Sequence, residues 1–176
     1  MSKTSLEHKA QAPSRVSVLI ITCSTSRFKE AQQGRRVDDP SGDFVANALI
    51  QSGHTIFGRR LVSDDKKALR RELDKALAAK DLDSVIICGG TGISPRDLTI
   101  EVVKKYLEKD LPGFGELFRR IGYDRIGSPA ILSRALAGVA KGKVIFCLPG
   151  SKEAVETAMT KIIIPEISHI IKHIRE

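Results

Sequence analysis

The feature that most restricts this chain is a short β-branched run that ends abruptly in glycines. Ser84-Val85-Ile86-Ile87-Cys88-Gly89-Gly90-Thr91-Gly92-Ile93-Ser94-Pro95-Arg96-Asp97 predicts a buried strand followed at once by a turn with three glycines in four positions. A turn without Cβ atoms lets backbone N–H groups come close to an anion. Asp97 stands five residues beyond Gly92, near the start of the next helical pattern, so a carboxylate lies beside the candidate cradle. Chemistry on a nucleotide and its Mg²⁺ needs that pairing. A tight strand-to-helix turn with Asp97 as a helix cap accounts for the same spacing, and both readings stand. The Walker fingerprint is absent, since no Gly-Lys-Ser/Thr follows Gly92. The dinucleotide fingerprint fails too, because Pro95 occupies the place of its third glycine.

Around this segment, strands and helices alternate. Val16 to Thr22 reads as a buried strand ending at Cys23, and Ser24 to Val37 as a polar loop. Asp39 caps a helix that opens with Pro40, buries Phe44, Val45, Ala48 and Leu49, and stops at Gly53. Thr55 to Val62 is a less apolar, edge-like strand, and Ser63-Asp64-Asp65 caps a helix from Lys66 to Ala79. Further helices are expected over Thr99–Glu108, within Leu111–Arg120 and over Pro129–Ala137, with a short strand over Gly122–Gly127. Val144 to Leu148 is another buried strand, broken by Pro149-Gly150-Ser151, and a long apolar helix kinked at Pro165 closes the chain. This alternation implies a mostly parallel sheet with helices on both faces. Cys23, Cys88 and Cys147 each close an apolar strand, so the turns after them fall where open α/β sheets bind ligands. The thiols themselves read as buried strand ends rather than a metal site.

With 176 residues the chain is expected to form a single domain over 15–176, preceded by a polar, flexible N-terminal arm over 1–14. No apolar run is long enough for a membrane span, and the polar N-terminus lacks an export signal. Three cysteines without short pairing fit a reducing compartment, so a cytoplasmic protein with no membrane partner is expected. The net charge of +8 raises the question of nucleic acid. Aromatics make up only 5%, and the basic pairs Arg35-Arg36, Arg59-Arg60, Lys66-Lys67, Arg70-Arg71 and Arg119-Arg120 lie in separate segments. No nucleic-acid partner is therefore expected, and attraction of small polyphosphates explains the charge as well.

Asp64 and Asp97 each stand just beyond an expected strand, so both can face one crevice and hold Mg²⁺ between nucleotide phosphates. Asp64 also has the context of a helix cap. Gly127-Ser128-Pro129-Ala130 and Leu148-Pro149-Gly150-Ser151 supply two more small-residue, hydroxyl-bearing loops, which suit phosphate or an ordinary turn. His169 and His173 have metal-pair spacing but no third ligand, and read as solvent-facing. The C-terminal isoleucines exceed the needs of one helix face and suggest core plus an oligomer contact.

Taken in order, Gly89-Gly90-Thr91-Gly92, Arg96-Asp97-Leu98-Thr99, Pro112-Gly113-Phe114-Gly115-Glu116, Leu132-Ser133-Arg134-Ala135 and Leu148-Pro149-Gly150-Ser151 resemble the MoaB/MogA family of molybdenum cofactor biosynthesis, most nearly its MoaB branch. The resemblance runs from about Val16 to His169. It implies a three-layer α/β/α molybdopterin-binding fold that forms homo-oligomers, trimers or hexamers. It also implies adenylylation of molybdopterin by ATP with Mg²⁺ and release of pyrophosphate. Carried over by motif, Asp97 and Asp64 are the catalytic aspartates and candidate Mg²⁺ ligands. Gly89, Gly90, Thr91 and Gly92 face the nucleotide, while Ser128, Ser133, Arg134, Pro149, Gly150 and Ser151 enclose the pterin and its phosphate. Glu116 matches an acidic position without an assigned role. Ile100 and Lys152 depart from prolines found in many members. A non-catalytic molybdopterin carrier or scaffold is the alternative reading.

Overall fold

A computed structural model describes residues 12–176; residues 1–11 of the expected N-terminal arm lie outside the described residues. Strand β1 (Ser17–Cys23) leads to helix α1 (Thr25–Gln32), then α2 (Pro40–Gln51), β2 (Thr55–Val62) and α3 (Lys66–Ala78). Next come β3 (Ser84–Cys88), α4 (Thr99–Val103), β4 (Lys109–Asp110) and α5 (Pro112–Ile126). A 3₁₀ turn (Ser128–Leu132), β5 (Leu136–Ala140) and β6 (Lys143–Leu148) follow. The chain closes with α6 (Lys152–Ala158), a π-helical turn (Met159–Ile163) and α7 (Ile164–Arg175).

The six strands form one sheet in the order β2-β1-β3-β6-β5-β4. β2, β1, β3 and β6 run parallel, while β5 and β4 are antiparallel additions at the far edge. Alternation along each strand separates two cores. Val18, Ile20, Ile86, Phe146 and Leu148 face α2, α5 and the C-terminal helices. Leu19, Ile21, Val85, Ile87 and Ile145 face α3 and α4. The architecture is thus a three-layer α/β/α sandwich. β1, β3 and β6 are buried on both faces, which is why their sequences are continuously apolar.

Several expectations are corrected. The polar loop over Ser24–Val37 contains α1, a helix with no buried residue, capped by Ser24 accepting from the Arg27 N–H. Gly122–Gly127 is the end of α5 and its cap, not a strand. α5 carries Phe114 and Phe118, which stack on each other, and Phe114 packs edge-on against Phe146. Pro129–Ala137 divides into the 3₁₀ turn and the start of β5. The helix expected over Thr99–Glu108 ends at Val103. Asp65, not Asp64, caps α3, accepting from Lys67 and Ala68 N–H at 2.9 Å each. The core part of the reading of the C-terminal isoleucines holds: Ile163 and Ile167 are fully buried and Ile171 nearly so, while Ile164, Ile170 and Ile174 are partly buried. Pro165 offers no N–H to the preceding turn, and the ladder there widens into the π turn.

Phe146 sits at the centre of the larger core, fully packed between β-strands and α5. Phe146→Ala is expected to cost about 3–5 kcal/mol in a urea unfolding titration, whereas Ile50→Ala at an exposed position is expected to change stability little.

Candidate functional site

The carboxyl ends of β1, β3 and β6 meet in a hollow walled by backbone. Gly89 adopts φ +99°, and a Cβ there would lie 2.4 Å from the Cys23 carbonyl oxygen. Gly90 adopts φ +64°, and a Cβ there would lie 2.5 Å from Thr99 Oγ1. Both positions therefore need glycine on conformational and steric grounds. Hydrogen bonds lock the turn to its neighbours. Gly89 N–H donates to the Leu148 carbonyl at 3.0 Å and Thr99 N–H to the Gly90 carbonyl at 2.9 Å. The Thr99 hydroxyl donates to the Gly89 carbonyl at 2.8 Å. The β6 turn packs on this loop, since a Cβ on Gly150 would stand 3.3 Å from Gly89 Cα. Ser41 in turn holds the Gly150 carbonyl at 2.9 Å.

The hollow opens into a cavity of about 840 Å³. Of the residues singled out in the sequence, Asp64, Asp97, Gly89, Gly90, Thr91, Gly92, Ser133, Arg134, Pro149, Gly150 and Ser151 line it. Ser128 does not. It starts the 3₁₀ turn and borders a separate surface groove with Glu116, Arg119 and Tyr123, because α5 runs on to Ile126 and carries that loop outward. Glu116 faces that groove too.

The two aspartates stand against the glycine loop from different strands. Asp64 Oδ2 accepts from the Thr25 N–H and hydroxyl, both at 2.9 Å, so α1 fixes its orientation. Its Oδ1 lies 3.4 Å from where a Gly90 Cβ would be. Asp97 Oδ2 accepts from the Ser94 N–H at 2.9 Å, and a Cβ on Gly92 would come within 2.7 Å of it. Asp97 thus closes its own loop instead of capping α4, whose first residue has no side-chain cap. Among the described residues, Oδ1 of each aspartate accepts no hydrogen bond, leaving a hard oxygen from each beside the cradle. That donor set suits Mg²⁺, which takes one or two carboxylates and completes its shell with phosphate and water.

Arg134 supports the loop from outside. Its Nη1 donates to the Gly92 carbonyl at 2.9 Å and its Nη2 pairs with Glu101. Burial pushes the Glu101 carboxyl up, and the Arg134 guanidinium overrides this, holding it below its usual range. Cavity residues from three helices escaped the sequence reading. Arg27 comes from α1, which was read as loop. Phe118, Gly122, Arg125 and Ile126 share one face of α5, a helical periodicity hidden by its glycines. Glu153 and Thr157 come from α6, where Thr157 accepts from Arg125 and donates to the Glu153 carbonyl.

Residues 19–169 match the family model described as "Probable molybdopterin binding domain". The chain belongs to this family of molybdenum cofactor biosynthesis. It is 43% identical over 171 residues to molybdenum cofactor biosynthesis protein B of Bacillus subtilis, covering 97% of this chain and 96% of that one. It is 40% identical over 157 residues to a probable molybdopterin adenylyltransferase of Methanocaldococcus jannaschii, covering 89% and 93%. The crystal structure of the tungsten cofactor synthesizing protein MoaB from Pyrococcus furiosus superposes with a TM-score of 0.82 at 37% identity, over 94% of this chain and 100% of that one. The MoaB branch and the molybdopterin-binding fold inferred from the motifs agree with these relatives.

Cys23 reaches the cavity wall, yet burial pushes its thiol up to about 12; the Thr99 hydrogen bond opposes the shift and the Asp64 charge adds to it. Cys88 and Cys147 are likewise raised by burial. Because the folded values lie above the ordinary thiol range, these groups stay protonated at pH 8. A thiol reagent at pH 8 is expected to leave the native protein unlabelled and to titrate 3 cysteines after unfolding; rapid labelling of native Cys23 would contradict this assignment.

Proposed function

We propose that this protein transfers the adenylyl group of ATP to molybdopterin, with Mg²⁺, in the cavity at the carboxyl ends of β1, β3 and β6. The observation that carries the reading is the placement of Asp64 and Asp97, from different strand ends, against one side-chain-free loop. The name of the Methanocaldococcus jannaschii relative points the same way.

In this reaction the terminal phosphate oxygen of molybdopterin attacks the α-phosphorus of ATP. A new P–O bond forms, the bond to the β-phosphate oxygen breaks, and pyrophosphate leaves. The residues at hand match the demand for positioning and charge neutralisation, with little covalent work by the protein. The N–H groups of the glycine loop offer fixed donors to the phosphates, and they need no reorganisation as charge develops. Arg27 and Arg125 stand on the cavity wall as cations for phosphate oxygens. Asp64 and Asp97 would hold Mg²⁺ through their Oδ1 atoms, and the ion would supply charge neutralisation at the triphosphate. Arg134, bonded to the Gly92 carbonyl, keeps the loop in register.

Two further expectations attach to this reading. Many cations are engaged in ion pairs at separate places, including Arg59 with Asp39 and Asp43, Arg60 with Glu72, and Arg175 with Asp83. That dispersal favours small phosphorylated ligands over a nucleic-acid track. Among the described residues no helix is long and apolar enough to cross a membrane. Leu117, Tyr123 and Ile131 are exposed apolar side chains on α5 and the 3₁₀ turn, with Ile131 80% exposed. We assign the expected homo-oligomer contact to this face.

Purified protein incubated with molybdopterin, Mg²⁺ and labelled ATP is expected to release pyrophosphate and form adenylyl-molybdopterin. Asp97→Ala is expected to lower turnover ~100-fold or more while leaving the thermal transition in place. Tight pterin binding without turnover by the wild type would instead establish a carrier. Light scattering is expected to give a mass above the 19.2 kDa chain, reduced by Ile131→Asp.

A further inference from the structure

We propose that Ser41 is a positioning residue of the cavity: it ties the Gly150 carbonyl back, so that the N–H of Ser151 turns inward and donates to a phosphate oxygen of a bound substrate. This role rests on the transferase reading for the identity of the ligands, and on the geometry of the Gly150–Ser151 peptide for the rest. Ser41 itself does not line the cavity.

Ser41 belongs to the first turn of α2 and is 1% exposed. Its neighbours fix its place. Asp39 caps the helix, with Oδ1 accepting from the Gly42 N–H at 3.1 Å and Oδ2 from the Thr22 hydroxyl of β1 at 2.7 Å. A Cβ on Gly42 would collide with that carboxylate, so the first turn packs tightly on its cap. From this anchored turn the Ser41 hydroxyl donates to the Gly150 carbonyl at 2.9 Å. One helix start thereby joins the ends of β1 and β6, which flank β3 in the sheet.

A planar trans peptide points its C=O and N–H in opposite directions, and every peptide among the described residues is trans. With the Gly150 oxygen tied to buried Ser41, the Ser151 N–H points away from α2. Ser151 lines the cavity, and among the described residues its N–H meets no acceptor. Its hydroxyl is engaged separately, accepting from the Ala154 N–H at 3.4 Å. The glycine turn uses the same device. Thr99 holds the Gly89 carbonyl with its hydroxyl at 2.8 Å and the Gly90 carbonyl with its N–H at 2.9 Å, and Arg134 holds the Gly92 carbonyl at 2.9 Å. The N–H groups that follow these carbonyls, on Gly90, Thr91 and Ile93, likewise meet no acceptor among the described residues. The two turns touch, since a Cβ on Gly150 would stand 3.3 Å from Gly89 Cα. The Ser151 donor therefore joins the others around one hollow, an arrangement that an anion completes. Among the described residues no second group donates to the Gly150 carbonyl. A peptide next to glycine rotates at little steric cost, so the orientation depends on Ser41.

The test is binding without turnover. Calorimetric titration with Mg²⁺ and a non-hydrolysable ATP analogue forms one arm, and fluorescence titration with molybdopterin the other. Ser41→Ala is expected to weaken at least one ligand ~10-fold, the loss of one hydrogen bond to a charged group. The arm that responds identifies whose phosphate Ser151 contacts. In turnover assays the same change is expected to raise KM for that substrate with kcat little altered. Val45→Ala, which thins the buried face of the same helix, is expected to lower the thermal transition and leave both affinities unchanged. Should Ser41→Ala not fold, wild type alone decides: hydrogen exchange at the Ser151 amide is expected to slow when the responding ligand binds. Unchanged affinity for both ligands in Ser41→Ala, an equal loss in Val45→Ala, or Ser151 exchange that neither ligand slows would overturn the proposal. Wild type that binds both ligands without turnover would defeat the transferase reading and leave this role standing.

Discussion

The structure depends on the contact between the carboxyl ends of three adjacent parallel strands. Gly89 follows β3 so closely that its missing side chain leaves room for the Cys23 carbonyl of β1 on one side and Gly150 beyond β6 on the other. The Gly89 N–H is committed to Leu148, and its carbonyl is held by Thr99. These bonds turn the loop's remaining backbone outward over the cavity. The central strands can converge in this way because they are buried on both faces and straight in register, β1 on β3 and β3 on β6. The hydrophobic cores thus do more than stabilise the sandwich: they hold the hollow's walls in place, as the proposed phosphate binding requires.

Charge is distributed around that hollow in a balanced way. Asp64, Asp97 and Glu153 share the wall with Arg27, Arg125 and Arg134. Arg134 is spent on Gly92 and Glu101, so its charge shapes the loop. Arg27 sits on α1, whose cap Ser24 and first residue Thr25 both tie the helix to the site; Thr25 grips Asp64 with its N–H and its hydroxyl. α1 buries nothing and instead orients the Asp64 carboxylate and presents the Arg27 guanidinium. It is an element whose role is in the site more than in the core.

That distinction explains how much was legible in the sequence. Elements that bury apolar residues with a clear period were readable: β1, β3 and β6 as continuous runs, and α3 from Leu69, Leu73, Ala76 and Leu77. The convergence of Asp64 and Asp97 followed from their positions just past strands. α1 was invisible because it has no buried face to generate a pattern. α5 was cut short because Gly113, Gly115 and Gly122 look like breaks; Gly115 in fact lies against the Ala135 carbonyl and the Arg119 side chain, where a Cβ would approach both to 3.0 Å. β5 was mistaken for helix because Leu132 and Leu136 fall at helical spacing. Its actual state is set by pairing with β6 and by Gly138, which lets Leu107 and the Lys109 carbonyl approach within 2.6 Å of a would-be Cβ. Those are tertiary facts, and no local propensity encodes them. Ser128 was misplaced for the same reason, since its position depends on where α5 ends.

The central claim is that the hollow between these strand ends receives the phosphates while the two aspartates face them. A crystal structure of the protein with Mg²⁺ and a non-hydrolysable ATP analogue tests it most directly. The account requires phosphate oxygens within hydrogen-bond distance of N–H groups in Gly90–Gly92, with the ion between them and the Oδ1 atoms of Asp64 and Asp97. A nucleotide seated in the Glu116 groove, or on the opposite end of the sheet, would contradict it.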